Sequence, residues 1–129
     1  MVSFDEYIQG VLKQVLDSYQ ILLELKDKPG DLKIIKNELL KINGFLRVII
    51  KKINSSNIQS DSFVKLSKRS KYYLESYDFE REIDTISNLY SADPNRLKHI
   101  RLKIIESLHD KKLIETLENV FNMNDKSLV

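Results

Sequence analysis

The chain has no cysteine, which rules out disulfides, thiol chemistry and cysteine-built zinc sites. It has only 3 glycines and 2 prolines in 129 residues, and no stretch alternates apolar and polar residues with a period of two over a convincing length. That argues against a sheet with its turns. No apolar run approaches a membrane span. Asp5 and Glu6 stand where the basic region of a signal peptide belongs, so none is expected and the cytoplasm is the default location. The glycines form no phosphate-cradling loop, and there is no H-E-x-x-H.

What is present is helical periodicity. Residues 31–53 read DLKIIKNELLKINGFLRVIIKKI. Leu32, Ile35, Leu39, Ile42, Leu46, Ile49 and Ile53 recur at alternating steps of three and four, which keeps one stripe on one side of a helix for about six turns. The other side carries Lys33, Lys36, Lys41, Arg47, Lys51 and Lys52, with Glu38 as its one acid after Asp31. Upstream, a helix is expected over Phe4–Lys26, opened by a Ser3/Glu6 capping box and closed by Lys28-Pro29-Gly30. The short connection makes the first two helices an antiparallel hairpin, with Asp31 as the second helix's cap. Asn54–Ser60 reads as a loop. A third helix is expected over Ser62–Tyr77, capped by Asp61, and a fourth over Phe79–Tyr90, either separate from it or continuous with it. Asp93-Pro94 is a helix start for a fifth, running to Leu108. A break is expected at His109-Asp110, with Asp110 capping a last helix over Lys111–Phe121 and Asn122–Val129 fraying. The fold class is therefore all-α: one domain over residues 1–129, a bundle of five to six helices.

The net charge of +2 hides blocks. Residues 32–73 hold 10 basic and 2 acidic side chains, whereas residues 74–94 hold 1 and 6. A block of that sign and density attracts polyanions, or it is simply a solvated lysine surface. On the third helix Lys65, Lys68, Arg69 and Tyr72 share an outer face, suited to a nucleic-acid backbone: cations for phosphates and a ring for stacking. On the fifth, Arg96, His99 and Lys103 share a face. The acids Asp78, Glu80 and Glu82 oppose the positive end of the fourth helix's dipole, which is enough to explain most of the cluster; the alternative is an edge that docks a basic partner.

No catalytic set is found. His99 and His109 are not at helical metal-pair spacing, and the arginine-to-histidine spacing of HEPN-type ribonucleases is not met, with seven residues between Arg101 and His109 and two between Arg96 and His99. The expectation is a protein that is not an enzyme and needs no metal or cofactor. It would bind nucleic acid by its backbone, without base readout, along a track drawn from Lys33/Arg47/Lys51, Lys65/Lys68/Arg69 and Arg96/Lys103. The competing expectation is a helical scaffold or coat protein that only contacts other proteins.

Asn95–Met123, NRLKHIRLKIIESLHDKKLIETLENVFNM, resembles a helical segment near the C-terminus of some type I CRISPR large subunits, with an Asn-x-Leu-Lys entry into an apolar helix followed by a docking helix. In several such systems a small helical subunit is translated from within the large-subunit gene. The resemblance implies a role in antiviral defence as the small subunit of a Cascade-like, crRNA-guided complex. Such a subunit would self-associate along the complex, contact its other protein subunits and hold DNA or RNA by its phosphates, with no membrane involved.

Overall fold

A computed structural model describes the backbone of residues 4–56, 60–89 and 93–127 and the side chains of residues 6–56, 60–88 and 93–122. Ser3 of the expected capping box, the Phe4 side chain, Tyr90 and residues 57–59 of the expected loop lie outside these described residues.

The described chain is all-α. Its helices are α1 (Phe4–Glu24), α2 (Asp31–Ser55), α3 (Asp61–Ser76), α4 (Phe79–Leu89), α5 (Pro94–His109) and α6 (Leu113–Ser127), with a 3-10 turn at Asp110–Lys112. They build four rods rather than a bundle of five to six helices. The reason is that α3 and α4 follow one another along one edge, as do α5 and α6 along another. α2 packs on α3 and then α4, and α1 packs on α5 and then α6. Side-chain pairs give the directions. Tyr19 meets His109 and Gln9 meets the Phe121 carbonyl, so α1 runs against the α5–α6 rod. Arg47 meets Glu80 and Lys36 meets Asp84, so α2 runs against α4. Ser18 meets Glu38 while Lys52 lies over the Tyr7 ring, which makes α1 and α2 the expected antiparallel hairpin.

The α2 stripe is the centre of the core. Leu32 and Ile53, at its ends, are 6% and 3% exposed, and the five residues between them are fully buried. Each such side chain contributes about 2 kcal/mol by leaving water. Around it close Ile8, Leu12, Val15 and Leu22 of α1, Leu66 of α3, Ile83 of α4, Leu97 and Ile104 of α5, and Leu113 and Leu117 of α6. Tyr7 and Leu23 are exposed, because α1 is flanked on two sides only.

Several helix ends differ from expectation. α1 stops at Glu24, and Gly30 takes a φ of +96° to turn the chain into α2. Asp31 is the first residue of α2, and its carboxylate accepts from the Lys28 amide at 2.9 Å, fastening the loop instead of capping the helix. Asp61 is likewise the first residue of α3, following Ser60. α3 and α4 are not continuous: Tyr77 is extended, and Asp78 restarts the helix by accepting from the Arg81 amide. Asp93 caps α5 as expected, accepting from the Asn95 amide at 2.9 Å. Asp110 does not cap α6. Its carboxylate accepts from the Tyr77 hydroxyl at 2.9 Å, tying the two rod breaks together, and the helix proper begins at Leu113 and continues to Ser127 rather than ending near Phe121. Among the described residues no helix is long and apolar enough to cross a membrane.

Candidate nucleic-acid interface

The expected basic residues divide into two populations. In the first, on α2 and α5, four are answered by acids of the same chain. Lys36 meets Asp84 at 3.1 Å, Arg47 meets Glu80 at 3.4 Å, and Lys103 of α5 meets Glu82 at 3.2 Å. All three acids belong to α4. The acidic block therefore lies between the α2 and α5 stripes and neutralises parts of both, so the stripes of α2, α3 and α5 do not form one unbroken basic track. Lys41 turns to the buried Glu38 at 3.2 Å, which also accepts from the Ser18 hydroxyl. Lys52 spreads its ammonium over the Tyr7 ring, 5.0 Å from the centroid. Lys33 and Lys51 are exposed on α2, and Arg96 and His99 are exposed on α5.

The second population gathers between α3 and the start of α6. Lys68, Arg69 and Tyr72 line one shallow, open depression of about 440 Å³ together with Lys111 and Lys112. Lys65 is exposed one turn before Lys68 on the same helix. Tyr72 is 40% exposed, and the Lys111 ammonium sits 5.6 Å from its ring centroid. Such a contact is favourable by about 0.5–1 kcal/mol at a wet site. Arg69 is half-buried and donates to the Thr116 hydroxyl, which in turn donates to the Lys112 carbonyl at 2.7 Å. This chain of bonds holds α3 against the turn. Among the side chains lining the depression there is no carboxylate.

Lys111 and Lys112 were not among the expected site residues. Both have left-handed backbones, with φ of 55° and 60°. Lysine rarely adopts this conformation, so no sequence pattern announces it. What holds it is the pair of anchors on either side: Asp110 bonded to Tyr77 before, and Thr116 bonded to Arg69 after.

On the opposite side of the same break, His109 is engaged by two neighbours. Its Nδ1 faces Glu115 at 2.8 Å and its Nε2 faces the Tyr19 hydroxyl. Glu115 can only accept, so in the neutral ring Nδ1 carries the proton and Nε2 accepts from Tyr19. The hydrogen bond from His109 holds the Glu115 carboxyl below its ordinary range. Partial burial, with the nearby Glu118 and Glu115 charges, pushes the Tyr19 hydroxyl up, away from a nucleophile's range. His99 is not part of this arrangement. Among the described residues no three metal-ligating side chains converge.

Several buried polar residues were also missed, among them Arg101 and Ser70, whose spacing places them on core stripes. Arg101 falls between Leu97 and Ile104 and is 9% exposed. It clasps Asp27 with two bonds of 2.8 and 3.0 Å and donates to the Leu22 carbonyl, closing α5 onto the α1–α2 loop. Ser70 falls between Leu66 and Tyr73 and is fully buried. Comparison with protein-family models, curated proteins and solved structures found no match for this chain.

Proposed function

We propose that this chain is a non-catalytic subunit that binds a nucleic-acid backbone, without reading its bases, through the face between α3 and α6. Lys65, Lys68, Lys111 and Lys112 supply phosphate contacts, Arg69 a half-buried anchor, and Tyr72 a ring for a base or sugar. The observation that carries the reading is the gathering of Lys68, Arg69, Tyr72, Lys111 and Lys112 around one depression with no acid among them. Lys36, Arg47 and Lys103 are secondary in this reading, since each already has a carboxylate partner.

The test is binding to a mixed-sequence oligonucleotide over a range of salt. Neutralising four phosphates gives a log–log salt slope of roughly −3 to −4. Reversal of Lys68, Lys111 and Lys112 to glutamate abolishes measurable binding at moderate salt, while Lys36→Ala and Arg47→Ala change it little. Equal losses from both sets of variants would place the interface elsewhere. Within this reading the assembly is a ribonucleoprotein of the Cascade type, with copies of the chain side by side. Purification from its native host with bound crRNA and a large helical partner subunit is the result expected of that narrower statement.

A second reading is favoured by the α4 ion pairs. A helical scaffold that contacts only proteins also needs its charges answered internally, as Lys36, Arg47 and Lys103 are. It gives no oligonucleotide binding at any salt concentration.

A further inference from the structure

The break between α3 and α4 leaves a second concavity, of about 310 Å³, on the side facing α2. Its wall includes Asn43 and Arg47 of α2, and Glu75, Tyr77, Asp78 and Glu80 at the break. Three carboxylates face one guanidinium, and Lys71 lies 4.0 Å from one of them, Glu75, so the local charge is still negative although the whole chain is weakly basic. Charge alone says little, because any wet surface tolerates a few acids.

Asn43 adds an independent observation. It is only 6% exposed. Its Nδ2 donates to Glu80 Oε2 at 3.2 Å, and its Oδ1 is buried without a donor. The amide cannot relieve this by rotating, because that would set its oxygen against the Glu80 carboxylate, acceptor to acceptor. The Tyr73 hydroxyl is also buried without a partner, and Glu80 and Arg47 are close enough to act on its charge. Buried polar groups in native proteins are nearly always paired, and each one left unpaired costs about 1–3 kcal/mol.

The site therefore offers an unpaired buried acceptor and more carboxylates than cations. Its own cation fills the need poorly: Arg47 reaches Glu80 through one nitrogen, at 3.4 Å, with 59% of its side chain exposed. An anion is repelled by the carboxylates. A divalent metal would meet the Arg47 guanidinium, and no three metal-ligating side chains converge among the described residues. A lone water satisfies the Asn43 oxygen and leaves the charge unused.

We infer that this concavity binds a guanidinium or alkylammonium group, which donates to Asn43 Oδ1 and Glu80 and displaces the Arg47 head group. The sources of such a group are an arginine or lysine side chain of a partner protein, or a free polyamine. This inference does not depend on the α3–α6 face binding nucleic acid.

The test is a ¹H–¹⁵N titration of the full chain, following the Asn43 side-chain amide, with N-acetyl-arginine amide, spermidine and, as neutral control, the citrulline analogue. Saturable shifts with at least one cationic probe and none with the citrulline analogue are expected. Glu80→Gln weakens binding roughly tenfold or more, the size of one charged hydrogen bond. Arg47→Met tightens it, because the competing cation is gone. Opposite effects of these two variants separate ligand binding from mere damage to the fold. Tighter binding of the arginine probe assigns the site to a protein side chain, and tighter binding of spermidine assigns it to a polyamine. Absence of Asn43 shifts, equal shifts with the citrulline analogue, or variants that leave the titration unchanged would each overturn the inference.

Discussion

Arg101 shows how much one polar residue on a core stripe can hold. Its side chain and that of Asp27 are 11% and 13% exposed, and their two bonds join α5 to a loop in which Asp27 itself has a φ of 60°. The bond to Asp27 raises the Arg101 pKa still further, so the guanidinium stays charged at any pH the fold survives. Replacement by methionine keeps the apolar stem but leaves the Asp27 carboxylate largely buried without its cation. A loss of about 3 kcal/mol in urea denaturation is expected, since removing one partner of a buried pair strands the other. Arg101→Lys recovers only part of it, because an ammonium cannot make the two-pronged contact. A loss under about 1 kcal/mol for the methionine variant would mean that the pair behaves as an exposed one. At this scale the sequence was half legible. The steps Leu97, Arg101, Ile104 and Leu108 place Arg101 inward as plainly as its neighbours, and Ser18 and Ser70 follow the same spacing. What no spacing reveals is the partner that makes such burial tolerable, since Asp27 and Glu38 come from other elements.

Among the elements, α2 was the most legible, because seven aliphatic residues at strict three-four spacing leave only one way to face a core. Asp93-Pro94 was legible for a different reason: a side-chain cap and a fixed φ act within three residues. The break after His109 follows expectation, but the role of Asp110 in it does not: Asp110 has the chemistry of a cap and is drawn away by the Tyr77 hydroxyl, a choice made between distant segments. The cost of that choice falls on Lys111 and Lys112, which hold left-handed backbones. A side chain in that region is disfavoured by about 1–2 kcal/mol relative to the right-handed form, a penalty glycine escapes. Lys112→Gly is therefore expected to stabilise the fold by up to about 1 kcal/mol, after glycine's greater freedom in the unfolded chain is subtracted. The same variant weakens oligonucleotide binding, because it removes one cation from the depression. Lys112→Ala weakens binding equally without the gain in stability. Thermal melts and salt titrations of the two variants read the two effects separately. A melting temperature no higher for glycine than for alanine would show that the turn carries no such strain.

Over the whole molecule, the decisive feature is where the charge blocks meet. Sequence alone shows a basic block followed by an acidic one, and leaves open whether they face solvent, a partner or one another. The four-rod arrangement places α4 against both α2 and α5, so that Glu80, Glu82 and Asp84 reach Arg47, Lys103 and Lys36. These pairs are half-exposed, and each contributes at most about 1 kcal/mol to stability. Their larger effect is on the field around the molecule. They mask one basic surface and leave the α3–α6 face as the part of the chain whose cations gather without an acid in the depression they line. Replacing the three acids by Gln, Gln and Asn raises the net charge from +2 to +5 and uncovers Lys36, Arg47 and Lys103. The melting temperature should fall by only a few degrees, since three weak pairs are lost. Oligonucleotide binding should strengthen at low salt, and the log–log salt slope should steepen by roughly 0.7–0.9 for each newly engaged phosphate. Combining these changes with reversal of Lys68, Lys111 and Lys112 separates the surfaces. Binding that returns in the combined variant comes from the uncovered α2 and α5 cations, which then act as a second, artificial site. A slope unchanged by the three neutral replacements would mean that the α4 acids do not screen those cations, and that the α3–α6 face is not set apart by the absence of a carboxylate from its lining.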